Sequence, residues 1–281
     1  LLQPPPAARP ARAGPLTRLK EAMRRPRLRR AATQAGLGLC LLGLCAAYTL
    51  GLGDNATAVV AKKRELPIYC VNRDDNKISI SFDAAWGGDK TLGILDLLDE
   101  YNIKSTFFLV DIWTQKYPEL VKEIVARGHE IGNHSTSHPQ MSKLNETQIA
   151  KELNTQADNV LAIAGVRPVL FRPPYGDYNN RVITTARAQG FVPIQWSVDS
   201  LDWKNRGAQE IINRATKVKS GDIVLFHNDS QYILDALPAV LKYYAENGYS
   251  VVPISEILLT GETTIDIQGR QQPVSTKIPE V

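Results

Sequence analysis

The sequence predicts an α/β barrel of seven or eight parallel strands, preceded near the N-terminus by one uncharged segment. From residue 76 to residue 260, short apolar runs alternate with amphipathic stretches of helical period. That alternation implies parallel strands joined by helical crossovers. Five of the apolar runs end on side chains capable of chemistry, at Asp83, His134, Arg172, Asp199 and His227. Reactive residues spread over several strand ends mark the active face of a barrel, whereas an open sheet gathers its site at one switch point.

Charge divides the chain into two unequal parts. Residues 1–52 hold nine Arg or Lys against one acid, Glu21, so that segment carries +8 of a total of +4 and the remainder carries −4. The basic character belongs to the leader, and nothing in the remainder points to nucleic acid as a partner. Residues 1–30 are rich in Pro, Ala and Arg without an apolar stripe, and read as a disordered basic cytoplasmic tail. Residues 31–53 carry no charge; at ~1.5 Å per residue, about 20 such residues span a ~30 Å hydrocarbon core. This is the pattern of a single-pass transmembrane signal-anchor. The Arg cluster at 24–30 keeps the N-terminus inside and the following domain extracytoplasmic. Ala56-Thr57-Ala58 offers a cleavage site that would instead release the domain as a secreted protein. Residues 54–75 read as a polar linker with a basic patch, Lys62-Lys63-Arg64. Cys40 and Cys45 fall inside the apolar run, which leaves Cys70 without a partner for an internal disulfide. A monomer held by its own core is the expectation.

Within residues 76–260 the elements follow in order. Ile78–Phe82 alternates as a strand, and Thr91–Tyr101 carries Leu92, Ile94, Leu95 and Leu98 at helical spacing. Strand 105–110 precedes a helix over Tyr117–Arg127 that Gly128 stops. The strand ending at His134 leads to a long helix from Asn145 to Ala164, closed by Gly165. Val169–Arg172 is a strand and Arg181–Gln189 a helix. Ile194–Asp199 is a strand, followed by a helix over Gln209–Val218. Ile223–His227, a helix over Ile233–Asn247, strand Tyr249–Pro253 and a short helix at Ser255–Leu259 complete the set. Residues 261–281 read as a loose C-terminal extension.

The chemistry-bearing residues are few. His134 and His138 lie four apart just past a strand, a spacing that lets two imidazoles converge on one metal. His129 precedes its strand and reads as structural. Asp83 ends a strand, where it either caps the next turn or acts as a base. Arg172 is fixed by Pro173-Pro174, and a buried guanidinium there needs a carboxylate, which it would keep charged. Asp199, Asp202 and Trp203 place two acids beside an indole. His227 ends a hydrophobic strand as an acid–base group or as a core residue. No glycine-rich phosphate loop is present.

These five elements, in this order, resemble the five motifs of the polysaccharide deacetylase family (carbohydrate esterase family four, the NodB homology domain). The first motif, Phe82-Asp83-Ala84-Ala85-Trp86-Gly87, is similar to that of its sporulation-related subgroup. The resemblance spans about residues 76–260 and implies a distorted (β/α)7 barrel. It also implies a hydrolase that removes N-acetyl groups from amino sugars of a cell-wall polysaccharide. It makes Asp83 the general base, His134 and His138 the ligands of a divalent metal (zinc, with cobalt an alternative), and Arg172 the partner of Asp83. Tyr175 would offer a backbone N–H to the oxyanion, Asp202 would tune His227 as the general acid, and Trp203 and Leu225 would wall the acetyl pocket. The family's first motif usually carries a second aspartate as a metal ligand. Here that position is Ala84, so water, Asn133 or Asp89 would complete the site. Peptidoglycan is the expected polymer for an anchored enzyme facing the wall, with chitin-like oligomers and exopolysaccharide as alternatives. The rival expectation is a catalytically silent glycan-binding domain.

Overall fold

The computed structural model describes residues 64–274, together with the isolated helical positions Gln34, Gly38 and Leu42. The expected cytoplasmic tail, the rest of the membrane segment, the first part of the linker and residues 275–281 lie outside the described residues. Among the described residues no helix is long and apolar enough to cross a membrane.

The strands are β1 (Cys70–Val71), β2 (Lys77–Ala84), β3 (Thr106–Leu109), β4 (Glu130–Asn133), β5 (Leu170–Phe171), β6 (Val192–Pro193), β7 (Val198–Asp199), β8 (Ile223–His227), β9 (Ser250–Val251), β10 (Thr263–Ile265) and β11 (Arg270–Pro273). The helices are α1 (Thr91–Glu100), α2 (Asp111–Lys116), α3 (Pro118–Ala126), α4 (Glu146–Ala164), α5 (Asn180–Ala188), α6 (Ala208–Ala215), α7 (Ile233–Glu246) and α8 (Ile254–Ile257). The main sheet runs β6-β5-β4-β3-β2-β8-β7, and β9 pairs with the start of β2. Every pairing in it is parallel.

The α/β class stands, but the sheet is a half-barrel rather than a closed ring. β6 and β7 are its two edge strands. Of the strand expected at 194–199 only its end is β7, and β6 stops one residue before that stretch begins. Pro193 has no N–H to offer a ladder, and the chain beyond it crosses the opening. There Ile68 bridges to Ile194, and the Gln195 N–H donates to the Ile68 carbonyl at 2.7 Å. The Ser197 N–H donates to the Ile223 carbonyl at 3.0 Å on the far side. The second half of the expected linker thus belongs to the fold, with Ile68 and Val71 buried. β1 pairs parallel with β11, and β10 pairs antiparallel with β11, so residues 263–273 form a hairpin rather than a loose extension.

β2 sits at the centre and divides two layers. Ile78, Ile80, Phe82 and Ala84 pack in the large apolar cluster with Leu95, Phe107, Phe226 and Leu237. Ser79, Ser81 and Asp83 alternate onto the other, inner face. A second cluster there contains Phe108, Leu170, Ile194 and Ile223, with Ile68, Val71, Ile254 and Ile257. Burial on both faces is what a central parallel strand requires. The helices are cut to length by local chemistry. Asn145 and Gln148 close a reciprocal capping box on α4, and Gly165 ends it in the left-handed region at φ 74°.

One glycine in a strand matters to the site. A Cβ on Gly132 would lie 2.3 Å from the Phe108 ring, so the missing side chain is what lets that ring lie across β4. Gly132→Ala is therefore expected to destabilise the protein by about 1–3 kcal/mol through overpacking. Denaturant unfolding checks this, and an unchanged midpoint would contradict it.

Candidate active site

Strand register brings the reactive residues together. In the parallel ladder Asp83 stands opposite His227 on one side and Phe108 on the other. Phe108 in turn pairs with Gly132, two residues before His134. Arg172 follows β5, and its backbone N–H donates to the Asn133 carbonyl at 2.9 Å. Asp83, His134, Arg172 and His227 thus meet at the carboxyl ends of neighbouring strands.

Arg172 is fully buried. Its Nη1 donates to Asp83 Oδ1 at 2.7 Å and to Ser81 Oγ at 2.9 Å, and its Nη2 donates to the Gln195 carbonyl at 3.1 Å. The guanidinium lies 4.1 Å from the centroid of the Phe108 ring. Gly132, Phe108, Arg172 and Asp83 therefore form a stack in which each member seats the next. Burial pushes the Asp83 carboxyl up, but the Arg172 guanidinium, helped by the neighbouring His134 and His227 imidazoles, outweighs it and holds its pKa below the ordinary range. Asp83 is an ionised base at neutral pH. Its second oxygen, Oδ2, faces His134 Nε2 at 3.5 Å.

His134 Nδ1 is 2.7 Å from the Arg172 carbonyl, which fixes the proton on Nδ1 and leaves Nε2 as a lone-pair donor toward the site. Its ring lies 5.0 Å from that of His138. Burial lowers the pKa of both imidazoles, that of His138 to about 4, so both are neutral and able to ligate. The connecting loop is tied to α4. Glu152 accepts from the Thr136 and Ser137 N–H groups at 2.9 and 2.8 Å and from Ser137 Oγ at 2.8 Å.

The donors present fit a divalent metal held by two imidazoles. His138 Nδ1 is buried without a hydrogen-bond partner, a free nitrogen in an otherwise satisfied loop. Among the described residues no group of three His, Cys, Asp or Glu side chains is arranged to hold a metal. Asn133 does not supply the missing donor. Its Nδ2 donates to the Leu153 carbonyl at 2.8 Å, and its Oδ1 accepts from the Ser135 N–H at 2.8 Å. Asp89 is exposed, and Ala84 is packed in the apolar layer.

On the other flank, Asp202 is buried and grips His227 twice. Oδ1 is 2.7 Å from His227 Nδ1, and Oδ2 accepts from the His227 N–H at 2.7 Å. Leu201 and Asn205, at φ 53° and 52°, bracket the turn that delivers it. Burial pulls the His227 imidazolium pKa down, but the hydrogen bond and charge of Asp202, then the charge of Asp83, hold it above the ordinary histidine value. Asp202→Asn removes that support. The alkaline limb of any activity that uses protonated His227 is then expected to move to lower pH, by about one unit or more. A pH–rate profile with an unmoved limb would contradict the pairing.

Tyr175 sits at φ 60°, a left-handed conformation costing a non-glycine residue roughly 1–2 kcal/mol, and its ring packs 4.5 Å from that of His138. Leu225 is buried on the inner face, and Trp203 is exposed beside Asp202. Asp199 stays outside this cluster and accepts from the Leu201 N–H at 2.9 Å. Sequence reasoning missed Ser81, Phe108, Gln195 and Glu152. The Ser-x-Ser-x-Asp alternation ending at Asp83 was the available signal for Ser81. A glycine inside β4 was the signal for a ring lying across it.

Fold and site together define a carboxylate–imidazole centre at the open end of a parallel α/β half-barrel. The family model for polysaccharide deacetylase matches residues 71–194. A peptidoglycan-N-acetylglucosamine deacetylase of Bacillus cereus is 36% identical over 194 residues, 67% of this chain and 91% of that protein. An uncharacterized protein of Bacillus subtilis, YlxY, is 31% identical over 68% of this chain and 60% of its own length. Among solved structures, a peptidoglycan N-acetylglucosamine deacetylase bound to an N-hydroxybenzamide superposes with a TM-score of 0.66 at 31% identity, covering 69% of this chain and 93% of that one. A family 4 pseudoenzyme of Bacillus anthracis superposes with the same TM-score of 0.66 at 30% identity, covering 68% of each chain. The chain belongs to the polysaccharide deacetylase family. Because relatives of equal similarity include both a named deacetylase and a pseudoenzyme, the residues of this chain carry the question of activity.

Proposed function

We propose that this protein is a metal-dependent hydrolase that removes N-acetyl groups from an amino-sugar polymer of the cell wall, most directly peptidoglycan. The observation that carries the reading is the complete acid–base pair: an ionised Asp83 opposite a His227 held protonated by Asp202. A binding domain has no use for a buried carboxylate and a partly buried imidazole whose pKa values are driven apart.

Asp83 takes the proton of the attacking water, while Arg172 keeps its carboxylate charged and aimed. The Tyr175 N–H, in the turn held at φ 60°, is the donor for the developing oxyanion. His227 gives its Nε2 proton to the departing amine, and Asp202 stabilises the imidazolium until then. Leu225 and Trp203 flank the acetyl methyl. His134 and His138 would hold the metal, which when bound supplies Lewis-acid polarisation of the acetyl oxygen and an acidified water. Zinc fits imidazole donors, and cobalt is the alternative. The same reading places the protein at a cell membrane through residues 31–53, with this domain outside and monomeric, or secreted after cleavage of the leader.

One observation favours a second reading. With Ala84 where a carboxylate would complete the ligand set, a metal-free, silent glycan binder keeps the groove without the reaction. The test is acetate release from peptidoglycan and chitooligosaccharides, by metal-stripped protein and after zinc or cobalt is restored. Metal-dependent release supports the hydrolase. Oligosaccharide binding with neither release nor metal uptake supports the binder.

A further inference from the structure

Among the described residues, three aromatic side chains are largely exposed: Trp86 at 62%, Tyr175 at 65% and Trp203 at 55%. All three border the site. Tyr175 lies against His138 and Trp203 follows Asp202, and both already have places in the reaction. Trp86 has none. Its ring approaches the His138 edge at a centroid distance of 5.8 Å and 72°, and its faces stay open to solvent.

The backbone beneath that indole is pinned. The Gly87 carbonyl accepts from Trp113 Nε1 at 2.8 Å and from Asn228 Nδ2 at 2.7 Å, and the Gly87 N–H donates to Asp229 Oδ2 at 3.3 Å. A Cβ on Gly87 would lie 3.0 Å from Asp229 Cβ, so the two loops are in close contact. Lys90 Nζ then donates to the carbonyls of Asp229, Ser230 and Gln231 at 3.3, 2.6 and 3.2 Å, fastening this loop to the one that follows His227. A large apolar face held out to water on a rigid loop, at the rim of a catalytic cluster, is a preorganised contact for a ligand. The apolar C–H face of a pyranose ring is the partner such an indole fits.

We propose that Trp86 is the platform of a second sugar subsite. It stacks on the pyranose next to the one whose acetyl group enters the site, so the preferred ligand is an oligomer of β-linked N-acetylhexosamine rather than a free monosaccharide. The ligand class rests on the reading given under Proposed function.

Isothermal titration of the full chain with chitotetraose and with N-acetylglucosamine tests this without requiring turnover. Trp86→Leu keeps apolar bulk but loses the aromatic face, and is expected to weaken chitotetraose about tenfold, the scale of one stacking contact. Trp86→Phe should stay within about threefold of the parent, and the monosaccharide should bind all three proteins alike. A leucine variant that binds chitotetraose as the parent does would overturn the subsite. So would a parent protein that binds no chitotetraose, or an equal loss for both sugars, which would reflect a disturbed His138. A parent that binds chitotetraose but releases no acetate with metal would sink the hydrolase reading and leave the subsite standing.

Discussion

Asp83→Asn is expected to lower kcat by about 10²–10⁴-fold, the range spanned by a positioned acid–base group. The amide keeps an oxygen at the place where Arg172 Nη1 now donates at 2.7 Å, so the fold should tolerate the change better than an alanine there. What it loses is the ability to take a proton from water. Binding of chitotetraose and metal content are expected to persist, because neither Trp86 nor the imidazole pair depends on that charge for its position. Kinetics on the acetylated oligomer, with metal analysis of the same sample, separate the two outcomes. If the Asn variant turns over within tenfold of the parent, Asp83 is not the base.

Arg172→Met is expected to produce the largest loss of stability, about 3–5 kcal/mol, because it leaves a buried carboxylate without its partner. The pH dependence gives a stricter check. In the parent, Asp83 has a folded pKa below its unfolded value near ~3.9. The stability it contributes is present above that unfolded value and is lost as pH falls through the folded one. Without Arg172, burial dominates and drives the Asp83 pKa upward, so the variant carries its penalty at neutral pH and sheds it in acid. The difference in unfolding free energy between parent and variant should therefore shrink between about pH 7 and pH 3. A difference that stays constant over that span would mean Asp83 is not the group Arg172 supports.

Alternation of apolar runs with amphipathic stretches was enough to place the strands that carry Asp83, His134, Arg172 and His227. A parallel strand buried on both faces is written plainly as Ile-Ser-Ile-Ser-Phe-Asp. The half-barrel was harder to read, because its opening depends on how 194–197 leaves one edge and joins the other. Ile194 to Asp199 looks continuous as a string, and only the Ile68 bridge shows why it is not. The role of Glu152 was illegible for a similar reason. Its carboxylate organises the His134–His138 loop from mid-helix, and i,i+4 periodicity says nothing about which polar side chain reaches a loop 15 residues away. Likewise, a short Cys-Val strand whose partner lies 200 residues further on carries no local signal.

That distant pairing has a kinetic consequence. Cys70 and Val71 take their places beside Arg270 and Gln271, so this strand pair can form only after nearly the whole chain is available. Contacts of such sequence separation require loop closure before they contribute any free energy, and they slow folding. Ile68 can meet Ile194, and Val71 the Gly221 carbonyl, before residue 263 leaves the ribosome, but β1 has no strand partner until β11 follows. A chain interrupted ahead of β10 would leave β1 without its parallel partner, an open edge for holdase chaperones and proteases.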